Sequence, residues 1–341
     1  MAANKALVAM QRGGPSVLRL VKEERPAPKA GQVLIEVEAA GVAFADVLIR
    51  EGLYPGVGPF PRRLGYDFVG RVIAHGPRTE TPAIGARVAA LTVTGACARY
   101  IAWPSEDLVP VPEELDAAEA VALVLNYVTA EQMLARVAGL GPRRTALVHG
   151  GGGGVGTALL ELARLSRVRV WATASAGKHK LVSALGATPI DYTAEDFTAR
   201  IRAEAHGGVD AVFDPIGGAH WRRSFDCLAE GGVLVAYGLQ AAAPKGRMQV
   251  LSTLAAALGQ PRFGPLDLLG GSKTVAGYNI ALRKKSRPEE FRADLAHLFE
   301  RLHRKELHPI IAERLLLSLA PRAHELMGSG RVAGKLVIIP D

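Results

Sequence analysis

One segment, a buried strand that runs through a glycine turn into a helix, restricts the possible folds of this chain most strongly. Residues 146–149 read ALVH, residues 150–156 read GGGGGVG, and small and apolar residues follow. Glycine permits a tight turn, a close approach of the backbone to a pyrophosphate, and close packing of the helix on the strand. The free N–H groups at the start of the helix then favour a bound phosphate. The segment therefore predicts a dinucleotide-binding site.

Strand-like and helix-like segments alternate throughout the middle of the chain. Apolar runs predict strands at 146–149, 168–173, 209–214, 233–237 and 274–279, and helices at 155–165, 178–185 and 220–228. Strands and helices that alternate at this spacing form a parallel sheet with right-handed crossovers. The sequence therefore predicts an α/β fold with a Rossmann-type, doubly wound parallel sheet, which is the context that a dinucleotide site requires.

The beginning of the chain has a different pattern. Up to about residue 125, short strand-like runs such as 68–74 and 87–91 are separated by glycine and proline, which predicts a barrel-like or sandwich unit. After about residue 283 come a charged helix (288–304) and two short strand candidates (314–317 and 336–339), too little chain for a core of its own. We therefore expect a β-rich domain at 1–125, a dinucleotide-binding domain at 126–280, and a tail at 281–341 that completes the first domain.

Composition argues against several other classes of protein. The two cysteines, Cys97 and Cys227, are too few for a disulfide framework and suit a reducing cytoplasm. We find no secretory leader, and no apolar run reaches the length of a membrane span. The net charge of +8 comes from scattered basic residues without interleaved aromatics, which is more typical of a solvated surface than of a nucleic-acid site. We expect a cytoplasmic protein without membrane or nucleic-acid partners, whose positive surface attracts an anionic cofactor.

The end of the second predicted Rossmann strand indicates which dinucleotide is bound. NAD sites usually place an acidic residue there, to bind the ribose 2′-hydroxyl. Here the strand ends in WATAS (171–175) without a carboxylate, and Lys178 follows. Because a hydroxyl and a cation suit a 2′-phosphate, these residues predict NADPH. The alternative is that Lys178 is only a solvated lysine of the first helical turn.

Several blocks of sequence resemble, in order, the quinone oxidoreductases and ζ-crystallins, a zinc-independent branch of the medium-chain dehydrogenase/reductase superfamily. They are GVAFADVLIR at 41–50, GLYP at 52–55, LGYDFVG at 64–70, NYVTA at 126–130, the glycine turn, and VDAVFDPIGG at 209–218. The resemblance covers nearly the whole chain. It implies a β-rich, GroES-like catalytic domain made from both ends of the chain around a central Rossmann domain. It also implies NADPH as the cofactor and a homodimer formed through the sheet edge at 273–279.

The resemblance also implies roles for single residues. Ser175, Lys178 and Tyr192 match positions around the 2′-phosphate, and Thr129 matches one near the nicotinamide. With the glycine turn and two positions along the cofactor, the expected cofactor-binding residues are Thr129, Gly150, Gly153, Val155, Gly156, Ser175, Lys178, Tyr192, Tyr278 and Arg331. Tyr192 could equally be an ordinary tyrosine of the core or of a strand edge.

Positions at which zinc-dependent members of the superfamily bind their metal are altered here. Ala43 stands where those enzymes have the first cysteine, and Tyr66 and Asp67 replace their His-Glu pair. Zinc is bound by Cys, His or acidic ligands in a tetrahedral arrangement. Alanine and tyrosine do not supply such a set, so we expect no metal.

Position 43 also bears on the proton donor. Most relatives in the branch carry asparagine there, whereas alanine cannot donate a hydrogen bond. Tyr54 is the best remaining candidate, because related enoyl reductases have a tyrosine at the matching position; the alternative is an apolar wall of the cleft. Tyr66 and Tyr127 are lesser candidates, and we expect Asp46 to hold the start of a helix.

The chemistry follows from the missing metal. Without a Lewis acid nothing stabilises an alkoxide, whereas hydride added to a conjugated C=C–C=O gives a delocalised enolate. We therefore expect an NADPH-dependent oxidoreductase that reduces quinones or α,β-unsaturated carbonyl compounds. Two alternatives stay open. One is an enoyl-thioester reductase with Arg62 and Arg63 as a positive rim, and the other is a crystallin-like, vesicle-associated or RNA-binding protein that binds NADPH without turnover.

Overall fold

The chain forms two compact units, each with its own buried core. The computed structural model describes residues 3–54, 56, 58–240 and 261–341. Unit 1 contains Met1–Val128 and Ala281–Asp341, and unit 2 contains Thr129–Ile280. Most of the stretch 240–272, whose sequence predicts no more than a helix and a loop, lies outside the described residues. Among the described helices, none has the length and apolar character that a membrane span requires.

The described elements follow one another along the chain. The strands are β1 Asn4–Ala9, β2 Leu18–Glu23, β3 Gln32–Val42, β4 Arg62–Arg63, β5 Asp67–His75, β6 Arg87–Leu91, β7 Tyr100–Pro104, β8 Val109–Pro110, β9 Thr145–His149, β10 Arg169–Ala174, β11 Thr188–Asp191, β12 Val209–Asp214, β13 Leu228–Ala236, β14 Thr274–Gly277, β15 Ile311–Leu316 and β16 Lys335–Ile339. The helices are α1 Phe44–Arg50, α2 Ala117–Ala122, α3 Val128–Glu131, α4 Gly154–Leu165, α5 His179–Ala184, α6 Phe197–Glu204, α7 His220–Asp226, α8 Pro265–Leu269, α9 Ile280–Ser286, α10 Pro288–His303 and α11 Ala320–Gly328. Wider, π-helical turns follow α2 at Leu123–Tyr127 and α3 at Gln132–Val137.

Unit 1 is built on two sheets. The smaller sheet has the order β2-β1-β4, and the larger has the order β15-β16-β3-β5-β6-β8, with β7 also paired to β3. Val33 and Ile35 of β3 are fully buried, as β-branched residues on the inner face of a sheet should be. Strand β16, from the end of the chain, pairs antiparallel with β3 and sets Val337 opposite Gly41. The β-rich, GroES-like part of the predicted fold is confirmed.

The described residues of unit 2 form one parallel sheet of six strands. Their order is β11-β10-β9-β12-β13-β14. From β9 the successive strands are added on one side as far as β11, and from β12 onward they are added on the other side, so the switch point lies between β9 and β12. Ligands of doubly wound folds bind at the carboxyl ends of the strands at such a switch point. The residues that end these two strands, His149 and Asp214, therefore stand at the predicted binding edge. The predicted doubly wound Rossmann sheet is confirmed.

The predicted elements of unit 2 match the observed ones with two omissions. The strand Thr188–Asp191 and the helix Phe197–Glu204 were not predicted. The strand is four residues long and contains Pro189, and the helix carries several charged residues, so neither has a strong apolar pattern. Strand β13 begins at Leu228 rather than at the predicted residue 233, and its register against β12 shifts between Leu228 and Val233.

Candidate functional site

The glycine turn of unit 2 is packed so tightly that side chains would not fit in it. A Cβ atom on Gly156 would lie 2.2 Å from the Gly150 carbonyl oxygen, and one on Gly151 would lie 2.7 Å from the Cβ of Ala172. Gly150 has a φ of +68°, which L side chains rarely adopt. The Gly153 N–H donates to the Gly150 oxygen at 2.9 Å and closes the turn. Backbone geometry thus requires glycine at positions 150, 151 and 156.

The glycine turn is followed by a helix whose start is suited to bind an anion. Helix α4 begins at Gly154 after Gly153 in an extended conformation, and Val155 lies in its first turn, partly exposed. The first N–H groups of a helix have no partner within it, and the helix dipole is positive there. Because α4 starts at the switch point of the sheet, these N–H groups can hold a pyrophosphate.

Three of the residues expected around a 2′-phosphate follow neighbouring strand ends. Ser175 and Lys178 come after β10, and Tyr192 comes after β11, whose Asp191 pairs with Ala174. The stem of Lys178 lies against the turn, since a Cβ on Gly152 would be 2.5 Å from the lysine Cδ. Partial burial lowers the pKa of Lys178. The Tyr192 side chain is 60% exposed, so it is not a core residue.

Two further expected cofactor residues are buried in unit 2. The Thr129 side chain is only 5% exposed, and its Oγ1 has no hydrogen-bond partner among the described residues. A buried hydroxyl without a partner is costly, and a ligand that supplies one would relieve this cost. The Tyr278 hydroxyl donates to Gln132 Oε1 at 2.9 Å, which fixes the ring beside the end of β14. Arg331, the remaining expected residue, is exposed in unit 1, in the turn before β16.

In unit 1, Asp46 holds the start of helix α1. Its two carboxylate oxygens accept from the Ala43 N–H and the Gly65 N–H, each at 2.9 Å. Asp46 is 1% exposed, and this burial raises its pKa to about 7, against the opposing effect of the two backbone donors. The expectation that Asp46 holds the helix start agrees with these contacts.

Asp67 and Lys335 form a buried ion pair next to Asp46. The Lys335 ammonium donates to Asp67 Oδ2 at 2.8 Å, and the side chains are 2% and 0% exposed. Burial raises the pKa of Asp67, and the lysine opposes this effect. Asp67 thus has a cation as its partner at the position where zinc-dependent relatives carry a metal ligand. The sequence did not identify Lys335 as a site residue.

Tyr54, the expected proton donor, has a second tyrosine as its partner. The Tyr54 and Tyr66 hydroxyls lie 2.6 Å apart, and the two rings meet edge to face. Tyr66 is 2% exposed, and burial together with the nearby Tyr54 raises its pKa well above the ordinary value. Either hydroxyl can donate to the other, so the pair can pass a proton or stabilise a charge that forms on Tyr54.

Arg62 and Arg63, the suggested positive rim, have partners within unit 1. Arg63 pairs with Glu23 at 2.6 Å, and Arg62 donates to the Pro59 carbonyl oxygen at 3.3 Å. These contacts engage both guanidinium groups but leave Arg63 largely exposed.

One polar cluster was missed at the sequence level. His149, Asp214 and His220 place ligand-type atoms within 4.8 Å of one another in unit 2. Ser224 lies among them, with its Oγ 2.6 Å from Asp214 Oδ2. The signal that could have revealed the cluster is positional, because His149 and Asp214 end the two predicted strands on either side of the switch point.

Comparisons with known proteins agree with both units. Residues 29–113 match the family described as alcohol dehydrogenase GroES-like domain, and residues 185–338 match the family described as zinc-binding dehydrogenase. Synaptic vesicle membrane protein VAT-1 homolog from Rattus norvegicus is 31% identical over 92% of this chain and 78% of that protein. The match covers 58% of the Danio rerio homologue and 65% of the human one, so these relatives are longer than the matched region.

Two other proteins extend the comparison. A phenolphthiocerol/phthiocerol polyketide synthase component from Mycobacterium tuberculosis is 30% identical over 98% of this chain, which spans 15% of that protein. The solved structure of Escherichia coli quinone oxidoreductase complexed with NADPH superposes with a TM-score of 0.86 at 26% identity, covering 98% of this chain and 100% of that one.

Proposed function

Because the chain belongs to the quinone oxidoreductase branch of the medium-chain dehydrogenase/reductase superfamily, we propose that it is an NADPH-dependent enzyme that reduces quinones or α,β-unsaturated carbonyl compounds. The observation that carries the proposal is the glycine turn at the switch point, with the Lys178 stem packed on Gly152. The NADPH in the complex of the Escherichia coli relative supports the same cofactor here.

The residues of unit 2 fit NADPH at each of its parts. The turn has no room for a side chain at Gly151, Gly152 or Gly156, and glycine at these positions leaves the backbone and the start of α4 open to a pyrophosphate. We assign the 2′-phosphate to Lys178, with Ser175 and Tyr192 beside it. We assign the nicotinamide amide to the unpartnered Thr129 hydroxyl. When bound, the reduced nicotinamide supplies a hydride.

We propose that the enzyme works without zinc, although one matching family is described as zinc-binding. Ala43 has no ligand atom, Tyr66 shares its hydroxyl with Tyr54, and the Asp67 carboxylate is paired with Lys335. Bringing a divalent cation to Asp67 would set it against a buried ammonium, which is unfavourable in a low-dielectric interior. The residues at these positions therefore favour a substrate that needs no Lewis acid.

A conjugated carbonyl is such a substrate. Hydride added at its β-carbon leaves an enolate, and one proton at the α-carbon completes the saturated product. Tyr54 is the proposed donor of this proton. Tyr66, 2.6 Å away, can donate to the Tyr54 oxygen as the phenolate forms and so lower the cost of the transfer.

A direct test is to follow NADPH oxidation with naphthoquinone, a cyclic enone and a short enoyl-CoA ester. We expect turnover with the quinone or the enone, a marked preference for NADPH over NADH, and no loss of rate after treatment with a zinc chelator. Tight NADPH binding without turnover of any of the three substrates would instead favour an NADPH-binding protein that is not an enzyme. Failure to bind NADPH would reject the proposal.

A second candidate function is the reduction of enoyl thioesters. It is favoured by the match of nearly the whole chain to a part of a polyketide synthase. The same assay separates the two functions, since this candidate requires turnover of the enoyl-CoA ester at a kcat/KM well above that of the simple enone.

We also propose a homodimer in the cytoplasm. Strand β14 is the last of the described strands in the unit 2 sheet, and on helix α8, which precedes it, Leu266 and Leu269 are 83% and 77% exposed. Apolar side chains beside a sheet edge favour pairing with a second copy. The buried, unpaired thiols of Cys97 and Cys227 suit a reducing compartment. Sedimentation of the protein with Leu266→Lys checks the dimer, which this change should dissociate.

A further inference from the structure

A chain of hydrogen bonds links the glycine turn to the end of β12 within unit 2. The Gly150 N–H donates to Thr173 Oγ1 at 3.2 Å, and His149 Nδ1 lies 3.1 Å from the same oxygen. On the other side of the ring, His149 Nε2 lies 3.1 Å from Ser224 Oγ, which donates to Asp214 Oδ2 at 2.6 Å. The side chains of Thr173, His149, Ser224 and Asp214 are all more than nine-tenths buried.

The charge on Asp214 fixes the direction of each proton in this chain. Burial opposes ionisation, but the hydrogen bonds that Asp214 accepts from His220 and Ser224 leave its pKa below the ordinary value. An ionised carboxylate only accepts hydrogen bonds, so the single Ser224 proton is directed to Asp214. Ser224 Oγ must then accept from His149, which places a proton on His149 Nε2.

The protonation state of the His149 imidazole fixes the hydrogen bonds between His149, Thr173 and the glycine turn. Burial lowers the pKa of His149 to about 3, so the imidazole is neutral and carries one proton. With that proton on Nε2, Nδ1 can only accept, and its donor is the Thr173 hydroxyl. The Thr173 oxygen then accepts from the Gly150 N–H, and each donor meets an acceptor.

Thr173 and Asp214 each hold backbone groups at the switch point. Thr173 accepts from Gly150 through its hydroxyl and from the Gly151 N–H through its carbonyl oxygen at 2.9 Å. Asp214 accepts from the Ile216 N–H at 2.7 Å, in the turn after β12. One carboxylate therefore fixes its own turn directly and the glycine turn through three side chains.

We propose that His149 is a positioning residue for the dinucleotide, held as the Nε2–H tautomer by Ser224 and acting through the Thr173 hydroxyl on the first amide of the glycine turn, that of Gly150. The proposal rests on the proposed use of this turn to bind NADPH. His149 itself makes no contact with the ligand. Its effect is to keep the turn in the conformation that presents the start of α4 to the pyrophosphate.

A metal ion bound by the cluster is the alternative state, and it excludes the proposed one. His149 Nε2 would have to lose its proton to bind a cation together with Asp214 and His220, since metal ligands must be deprotonated. A measurement of the proton on His149 therefore distinguishes them.

The test combines a binding measurement with a spectroscopic one. Thr173→Val removes the hydroxyl at nearly constant shape, Thr173→Ser retains it, and Ser224→Ala cuts the chain two links away from the turn. For Thr173→Val we expect the KM for NADPH to rise about tenfold with kcat nearly unchanged, while Thr173→Ser stays within about twofold of the parent. ¹⁵N chemical shifts of the ring, assigned by comparison with His149→Gln, should report Nε2–H in the parent and Nδ1–H in Ser224→Ala.

The outcomes separate this proposal from the proposed function. If the parent protein binds no NADPH, the proposed function is rejected. The His149 tautomer, measured without cofactor, would still decide whether the chain of hydrogen bonds exists. An Nδ1–H tautomer in the parent, or an unchanged KM in Thr173→Val, would overturn the positioning role. So would stoichiometric Zn²⁺ uptake that is lost in His220→Ala. A merely structural role for Ser224 would lower stability without moving the His149 proton.

Discussion

The Lys335 ammonium donates to the Asp67 carboxylate at 2.8 Å, and the two side chains are almost completely removed from solvent. Lys335 also covers Gly41, where a Cβ atom would lie 2.3 Å from the lysine Nζ. The pair thus joins β16 to β5, which lies in the middle of the larger sheet of unit 1. Removing either partner leaves an uncompensated charge in the interior.

We predict that Lys335→Met lowers the free energy of unfolding of unit 1 by about 3–5 kcal/mol, as is usual for a broken buried pair. The double variant Asp67→Leu with Lys335→Met should recover much of this loss. The matched control is Arg314→Met, which breaks the exposed Arg314–Asp116 pair and should cost at most about 1 kcal/mol. Urea unfolding measures all three, and a Lys335 variant as stable as the control would contradict the prediction.

Asp46 should make the stability of unit 1 depend on pH. Its pKa is about 7 in the folded chain and about 3.9 in an unfolded one, so between these values the folded chain holds more protons. The free energy of unfolding therefore falls as the pH rises from about 4 to about 7, by at most ~1.4 kcal/mol per pH unit. In Asp46→Asn this contribution is absent. The free energy of unfolding of the parent minus that of the variant, measured by urea unfolding, should fall as the pH rises over that range and be level above it. A difference that rises with pH would refute the prediction.

The two tyrosines should contribute unequally to turnover. Tyr54→Phe removes the proposed proton donor and should lower kcat for enone reduction by about 10²–10⁴-fold, with NADPH affinity unchanged. Tyr66→Phe leaves the Tyr54 hydroxyl in place and removes only its partner, so the loss should be about tenfold. Steady-state kinetics with a cyclic enone compare them. An equal effect of both changes, or none from Tyr54→Phe, would exclude Tyr54 as the donor.

Lys178 should determine the choice between the two nicotinamide dinucleotides. Lys178→Ala should weaken NADPH binding about 10–100-fold, the range for a lost charge-assisted contact, and leave NADH binding within about twofold. Lys180→Ala, at an exposed position in helix α5, is the matched control and should change neither. Fluorescence titration gives both affinities. Equal weakening of the two dinucleotides would mean that Lys178 does not contact a 2′-phosphate.

The glycine turn should tolerate no side chain at its closest contact. Gly156→Ala places a Cβ 2.2 Å from a backbone oxygen, so the turn must shift. We expect a loss of NADPH affinity of at least about tenfold, because the start of α4 moves with it. At Gly177 a Cβ meets nothing within 4 Å, so Gly177→Ala should bind NADPH normally. Isothermal titration of both variants checks this, and normal binding by the Gly156 variant would show that the turn is not the phosphate site.

The features that the sequence predicted are local ones. The glycine turn, its flanking strand and helix, and the missing carboxylate after β10 all lie within about thirty consecutive residues, where backbone geometry alone restricts the choice of residue. The Rossmann sheet and the β-rich unit followed from the same kind of local pattern. The short strand Thr188–Asp191 was not predicted because its apolar pattern is weak.

The features that the sequence did not predict depend on pairs that are distant in the chain. Lys335 and Asp67 are 268 positions apart, and Ser224 and His149 are 75 apart. The first pair is brought together by the strand order of the larger unit 1 sheet, and the second by the packing of helix α7 on the unit 2 sheet. No single-sequence pattern specifies either contact at this distance. Tyr54 was found as a candidate, but its contact with Tyr66 required the geometry of the loop between them.

The position of β16 beside β3 also sets an order of events during synthesis. Unit 2 is one continuous stretch, Thr129–Ile280, whereas unit 1 needs residues from both sides of it. Domains generally fold as units while the chain emerges from the ribosome. Unit 2 can therefore fold first. At that stage β3 has no β16 to pair with, and Asp67 has no cation as its partner. Unit 1 can close only when Lys335 has left the exit tunnel, so it is completed after unit 2.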